Sequence, residues 1–387
     1  ASAGNGGDKP YVNGTPASAA SALSVAQTSV PSDKLQVITV DGTNYPAVFQ
    51  PWSAPLVSTV GPAPVVWGGD FGSSLGCSVG PDPNDVNPGT EPYPAGSLSG
   101  MIVLVNRGTC SFSVKIYNIQ RGGGMAGIIG LVDTSDPFTG GLGPGGPFTI
   151  PGYMITLAAA NSIRAAIADA GATGEINPAS QLPIPSTIVG SSSRGPQHES
   201  STLIKPEIGA PGASVSAIAG TGTDTGPFGG TSGAAPMVTG SAALLIDKYG
   251  GTKKFVFGHG LSPIEVKALL MNNAETNIAN PFTGALTEIT RIGGGEVRVE
   301  KASSAPVAAW DSQGFSSALS FGFVDVSNHS VTLYRTVRIH NFSHHKYTYT
   351  VTPTFRFADD AANGAVTITA PSKVVVKRGD TYFRVKI

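Results

Sequence analysis

Hydrophobic and polar positions fall into three textures along the chain, and each predicts its own elements. In residues 99–176, Met101-Ile102-Val103-Leu104-Val105 is a continuous apolar run of strand length, and 126–132 and 150–155 repeat it. Between them Phe112, Ile116 and Ile119 recur at helical spacing ahead of Gly122-Gly123-Gly124. Thr156 can cap a second helix that carries Ile163, Ala166, Ile167 and Ala170 on one face. Strands alternating with helices predict a compact α/β module. In 303–387 the short runs 331–333, 337–339, 347–351, 366–368 and 383–385 alternate apolar with polar, which predicts an antiparallel β-sandwich. The segments 1–34 and 186–302 share a third texture: turn-rich loops, short strand candidates at 22–26 and 213–219, and two helices. Stretch 35–98 is irregular, with β-like pieces only at 35–40 and 65–67.

Of the two helices, 261–270 is the better punctuated. Ser262 is placed to be its N-cap, Pro263 sits at the first helical position, and Glu265 closes a capping box. The other follows Gly229-Gly230-Thr231-Ser232-Gly233-Ala234-Ala235-Pro236. It is apolar from 234 to 246, which predicts a helix buried on nearly all sides with Ser232 at its mouth. Backbone N–H groups there are unpaired and the dipole is positive, which favours negative charge, including an acyl-transfer oxyanion. Ser232 is therefore either the helix cap or a nucleophile.

Composition narrows the classes. Net charge is −1 and 13% of residues are charged, so no basic surface argues for nucleic acid or an acidic membrane. No apolar run reaches membrane-spanning length. Gly and Pro are abundant, 51 and 30, but 40% of residues are hydrophobic, which suits loop-rich globular domains. The two cysteines, Cys77 and Cys110, are either free and buried or paired. Their Gly-, Pro- and Ser-rich setting favours a disulfide and an oxidising, extracellular compartment. The first residues, Ala1-Ser2-Ala3-Gly4, already read as the inside of a domain, so the chain is expected to be a fragment or processed product.

The hydrolase elbow G-x-S-x-G fails at Ala234. Gly230-Thr231-Ser232-x-Ala234-Ala235-Pro236 instead resembles the serine motif of the subtilisin-like serine peptidases, the subtilases. Ser192-Ser193-Arg194-Gly195-Pro196 and Lys205-Pro206-Glu207-Ile208-x-Ala210-Pro211-Gly212 look like the segments preceding that motif. Residues 261–270 and Gly293-Gly294-Gly295-Glu296-Val297 look like those following it. Ser2-Ala3-Gly4-Asn5-Gly6 resembles the family's Ala-Gly-Asn segment. The resemblance implies Ser232 as nucleophile and Asn5 as the oxyanion-hole side chain. It also implies Ala3 and Gly4 as one wall of a specificity pocket, Gly14 as part of the opposite side, and Gly230 and Thr231 beside the substrate. Residues 98–112 (Leu98-Ser99-Gly100 through Arg107-Gly108-x-Cys110-Ser111-Phe112) and Gly123-x-x-Ala126-Gly127-Ile128-Ile129 resemble a protease-associated domain. Such a domain implies substrate access or partner binding. The tail resembles a fibronectin type III-like sandwich.

The implied fold is α/β: the C-terminal half of a subtilisin-like, three-layer, parallel-sheet domain, with an inserted α/β protease-associated domain and a C-terminal β-sandwich. The expected divisions are 1–34 and 186–302 for the catalytic domain, 35–185 for the insertion (core 99–176), and 303–387 for the sandwich. Two departures lie beside the serine: Gly233, where the family usually has Met, and Met237, where it often has His. A larger one concerns the triad. The family's Asp and His precede its Asn, and none of His198, His259, His329, His340, His344 and His345 lies in a His motif. The expected function is the C-terminal part of a secreted or cell-surface serine endopeptidase acting on protein or peptide substrates. Its base and orienting acid lie in an upstream half that would also cover its core, so the chain alone should be inactive. The competing readings are a catalytically dead subtilase-like adhesion protein, favoured if upstream Asp-(Ser/Thr)-Gly and His-Gly-Thr-His segments are absent, and a glycine-rich structural surface protein. No cofactor is expected. Calcium is frequent in the family, but no Asp/Asn ligand loop stands out.

Overall fold

Val25–Thr28 forms strand β1, buried along its whole length with Gln27 and Thr28 included. It belongs to a computed structural model describing residues 1–197, 203–249, 260–314 and 316–387; His198 and His259 lie outside these residues. The chain separates into two units: Ala1–Val30 with Ser186–Ile387, and Pro31–Pro185.

The unit Pro31–Pro185 is a closed barrel. Its strands are β2 (Lys34–Val40), β3 (Thr43–Phe49), β4 (Val60–Trp67), β5 (Ile102–Asn106), β6 (Ala126–Gly130), β7 (Gly152–Ile155) and β8 (Ala172–Pro183). They close in the order β2-β3-β7-β6-β5-β4-β8. The run β4, β5, β6, β7 is parallel and the remaining pairings are antiparallel. Helix α1 (Phe112–Arg121) lays Ile116 and Ile119 against Val103, Val105 and Ile129. It can lie close because β6 and β7 present glycines: a Cβ on Gly127 or Gly152 would come within 2.5 and 2.9 Å of the Ile116 side chain. Helix α2 (Leu157–Ala170) is capped by the Thr156 hydroxyl, which accepts from the Ala159 N–H at 3.1 Å. Cys77 and Cys110 are joined in a disulfide packed against Val114.

This barrel differs from the α/β module that periodicity predicts. Its closing strands come from the stretch read as irregular and from β8, which the apolar pattern does not reveal. Only the first half of β8 alternates, with Ala172, Gly174 and Ile176 inward; Pro178 and the polar residues after it mask the rest. The strand exists because β2 and β4 supply ladder partners on both sides.

In the other unit, β9 (Ile208–Pro211) pairs parallel with β1, Val25 opposite Ile208. Single bridges extend this sheet to Ser2 beside β1 and to Glu296 beside β9. Strands β10 (Ser214–Ala217) and β11 (Thr225–Phe228) form an exposed hairpin where sequence pattern predicts one longer strand. Helix α3 (Thr231–Lys248) packs on β1 and β9. Contrary to the expectation of all-round burial, it buries one stripe, Thr231, Ala234, Val238, Ser241 and Leu245. Met237 is 49% and Leu244 60% exposed. The sheet lies under one face only, and among the described residues nothing covers the other. Helix α4 (Pro263–Asn272) has its predicted capping box: the Glu265 carboxylate accepts from the Ser262 N–H and hydroxyl, each at 2.7 Å.

The tail carries β12 (Val307–Asp311), β13 (Tyr334–Asn341), β14 (Tyr347–Thr350), β15 (Lys373–Val376) and β16 (Gly379–Lys386). They form two antiparallel sheets, β12-β13-β16 and β14-β15, which share a core of Val337, Ile339, Val374, Val376 and Val385. The runs 331–333 and 366–368 form no strand. Leu333 exchanges hydrogen bonds with Ile387 alone, and Thr369 with Lys386 alone. No described helix is long and apolar enough to cross a membrane.

Candidate active site

Ser232 is the second residue of α3 and its side chain is exposed. The turn presenting it needs glycine at two places. Gly230, the N-cap, has φ +81°, and a Cβ there would lie 2.9 Å from Asn5 Nδ2. A Cβ on Gly233 would lie 2.0 Å from the Gly212 carbonyl, so the helix start can pack on that strand end only with glycine after the serine. That contact explains Gly233 where the resembled motif usually carries Met.

Asn5 and the serine turn, more than two hundred residues apart, meet here. Asn5 Oδ1 accepts from both the Thr231 N–H and the Thr231 hydroxyl, each at 3.1 Å. The Thr231 hydroxyl in turn accepts from the Gly4 N–H at 3.2 Å. A helix leaves its first four N–H groups without intrahelical acceptors. In α3 the first goes to Asn5, and those of Gly233 and Ala234 go to the Gly230 carbonyl. The Ser232 N–H has no acceptor among the described residues. With its oxygen committed to Thr231, the Asn5 carboxamide has its Nδ2 hydrogens to offer beside the helix start. Ala3 and Gly14 also come together, the Gly14 N–H donating to the Ala3 carbonyl at 2.8 Å. Thr231 is fully buried, which suits an anchor under the site more than a group touching substrate.

Two ion networks fix the loops around these residues, and both escape pattern reading. Asp8 bridges Arg194 at 3.0 Å and the fully buried Arg291 at 3.3 Å. Glu207 bridges Lys205 at 2.9 Å and Lys267 at 2.7 Å, all three nearly or wholly buried. The lysines also donate to the carbonyls of Ala19, Ala20 and Ala22, and the Ser24 N–H donates to Glu207, so the network ties the loop leading into β1. Burial lowers the Lys205 pKa, with the Glu207 charge opposing. The one available signal was three charges in segments otherwise apolar enough for the core.

The described histidines are His329, His340, His344 and His345, all in the tail. His340 Nδ1 lies 2.7 Å from Asp380 Oδ1, its cross-strand partner, so it is engaged there. No described side chain hydrogen-bonds the Ser232 hydroxyl. Among the described residues no group of three or more His, Cys, Asp or Glu is placed to hold a metal.

A serine at the start of a buried-stripe helix, tied through its neighbour to a distant carboxamide, is an arrangement that could serve acyl transfer if a base were supplied. The family model of the subtilase family matches residues 1–323, and the chain belongs to that family of serine peptidases. Among solved structures the chain is similar to a psychrophilic subtilisin-like protease from the Antarctic psychrotroph Pseudoalteromonas sp. AS-11, at 17% identity and TM-score 0.32. That match covers 78% of this chain and 62% of that one. It is also similar to an aminopeptidase from Aneurinibacillus sp. strain AM-1, at 20% identity and TM-score 0.28, covering 40% of this chain and 32% of that one. A zinc aminopeptidase from Bacillus subtilis matches at 18% identity and TM-score 0.27, over 39% and 32%. The chain thus spans about a third of the two aminopeptidases and under two thirds of the protease.

Proposed function

We propose that this chain carries the nucleophile and part of the oxyanion hole of a secreted serine endopeptidase. Ser232 attacks the peptide carbonyl. The Asn5 amide and the Ser232 N–H receive the developing oxyanion. Ala3, Gly4 and Gly14 line the specificity pocket, with Gly230 and Thr231 shaping the floor beside the serine. The reading is carried by the double hydrogen bond from Thr231 to Asn5 Oδ1, which commits the carboxamide oxygen and leaves Nδ2 as the donor beside the helix start. The general base and its orienting acid are assigned to an upstream segment or chain, because the family's Asp and His motifs precede its Asn and none of the six histidines lies in such a motif. The barrel acts as a protease-associated domain in substrate access or partner binding. The two-sheet tail acts as a fibronectin type III-like module.

The test is complementation. Purified residues 1–387 should not cleave casein, and the protein with its upstream half should. Ser232→Ala should lower the restored kcat by about 10⁶-fold, and Asn5→Ala by about 10²–10³-fold with little change in KM. Casein cleavage by the chain alone, blocked by Ser232→Ala, would overturn the assignment of the base. Restored activity untouched by Ser232→Ala would overturn the nucleophile.

A further inference from the structure

Asn5 is held by its side-chain oxygen, but its main chain sits between glycines, Gly4 and Gly6, and Gly4 has φ +107°. Glycine on both sides leaves a residue free to swing unless something outside the loop fixes it. Thr231 holds the Gly4 N–H at 3.2 Å, and a second residue takes hold on both sides of Asn5. The Ser193 N–H donates to the Gly4 carbonyl at 2.9 Å, and the Ser193 hydroxyl accepts from the Gly6 N–H at 2.9 Å. Both peptide neighbours of Asn5 are thereby tied to one residue that is 1% exposed, Gly4 to its main chain and Gly6 to its side chain. The glycines make the approach possible: a Cβ on Gly4 would lie 2.9 Å, and one on Gly6 3.3 Å, from the Ser193 hydroxyl oxygen. Further ties run along the same segment. The Gly7 N–H donates to the Ser191 carbonyl at 2.8 Å, the Val12 N–H to the Arg194 carbonyl at 3.0 Å, and Arg194 to Asp8 at 3.0 Å.

We propose that Ser193 is a positioning residue for catalysis, setting where the Asn5 carboxamide stands relative to Ser232. This rests on the assignment of Asn5 to the oxyanion hole. An oxyanion donor works only within a few tenths of an ångström of its productive place. Thr231 fixes the distal end of the Asn5 side chain and Ser193 fixes its root, so the carboxamide is pinned at both ends.

Ser193→Ala keeps the N–H and removes only the acceptor for Gly6. In the complemented enzyme it should lower kcat about 10–100-fold with KM unchanged, the scale of a small misplacement of a catalytic group. Ser192→Ala is the control: the neighbouring, equally buried hydroxyl accepts from the Gln27 N–H at 3.0 Å and does not touch the Asn5 loop. It should leave kcat in place whatever it does to stability. Because Ser193 acts through Asn5, Ser193→Ala should add nothing in an Asn5→Ala background. If Asn5→Ala leaves kcat intact, the oxyanion-hole reading fails. If Asn5→Ala is damaging but Ser193→Ala matches Ser192→Ala, or multiplies with Asn5→Ala, the positioning role is overturned. A readout independent of turnover is the side-chain amide signal of Asn5 in ¹⁵N-asparagine-labelled protein. It should shift and broaden in Ser193→Ala and not in Ser192→Ala; an unmoved signal overturns the proposal even in an inactive protein.

Discussion

The two units bury lysine in opposite ways. In the barrel, Lys115 is fully buried with no carboxylate partner among the described residues. Its ammonium donates to the carbonyls of Leu75 at 2.6 Å and Gly108 at 2.7 Å and lies 3.5 Å from Cys77 Sγ, and burial pulls its pKa down to about 7. In the other unit Lys205 and Lys267 share Glu207, whose two oxygens each take one ammonium. Apolar surface divides the same way. The barrel closes its ladder and seals Leu104, Ile128 and Ile155 at 0% exposure, while α3 leaves Leu244 60% exposed. A closed barrel completes its own packing and can dispense with a counter-ion where carbonyls converge. The unit that carries Ser232 relies on discrete ion anchors to hold loops that have no ladder of their own.

The sharpest way to break this contrast is Glu207→Gln. It leaves two buried ammonium groups sharing no charge partner and should cost about 3–5 kcal/mol. Trp310 lies in this unit and Trp52 and Trp67 in the barrel. In a background with Trp52 and Trp67 changed to Phe, urea unfolding followed by Trp310 fluorescence should therefore show the loss. A change under 1 kcal/mol would mean the network is not an anchor.

The next test compares two leucines. Leu104→Ala in the barrel core should cost about 2–5 kcal/mol, read from Trp52 and Trp67 in a Trp310→Phe background. Leu244→Ala on the exposed face of α3 should stay within about 0.5 kcal/mol in residues 1–387. Equal costs would show that the α3 face is covered in solution.

The smallest effect concerns pH. Lysine titrates near 10.4 in an unfolded chain, whereas Lys115 titrates at about 7 in the barrel. Between those values the unfolded state binds more protons, so barrel stability should rise from pH 7 towards pH 9. Lys115→Met should remove that rise. The window ends near pH 10, where buried Tyr93 and Tyr153, whose pKa values burial raises, begin to favour the unfolded state. A urea midpoint that is flat or falls over this range in the wild type would refute the assignment.

Much of this was legible in the chain itself. The capping box at Ser262 needs only residues within one turn, so local chemistry settles it. Val103, Ile128 and Met154 lie in runs apolar enough to be strands in any context. The serine motif and Asn5 were readable because their glycines and small residues are demanded by close backbone approach, as the 2.0 Å clash at Gly233 shows. What stayed hidden depends on partners far away. β8 is polar over half its length and becomes a strand only between β2 and β4. The apolar run at 234–246 fixed a helix but not which side of it would be covered. Lys205, Glu207 and Lys267 look like surface charges until the chain brings them together.

The sequence alone determined the helices around Ser232 and Ser262, the central barrel strands, the serine turn and the membership that its ordered motifs announce, because these rest on spacing and local backbone chemistry. Only the tertiary structure decided that Asn5 caps the helix of Ser232, that Ser193 braces Asn5 from behind, and that one buried lysine shares a carboxylate while another lies against carbonyls and a sulfur. Each is a contact between segments whose separation in sequence carries no record of their distance in space.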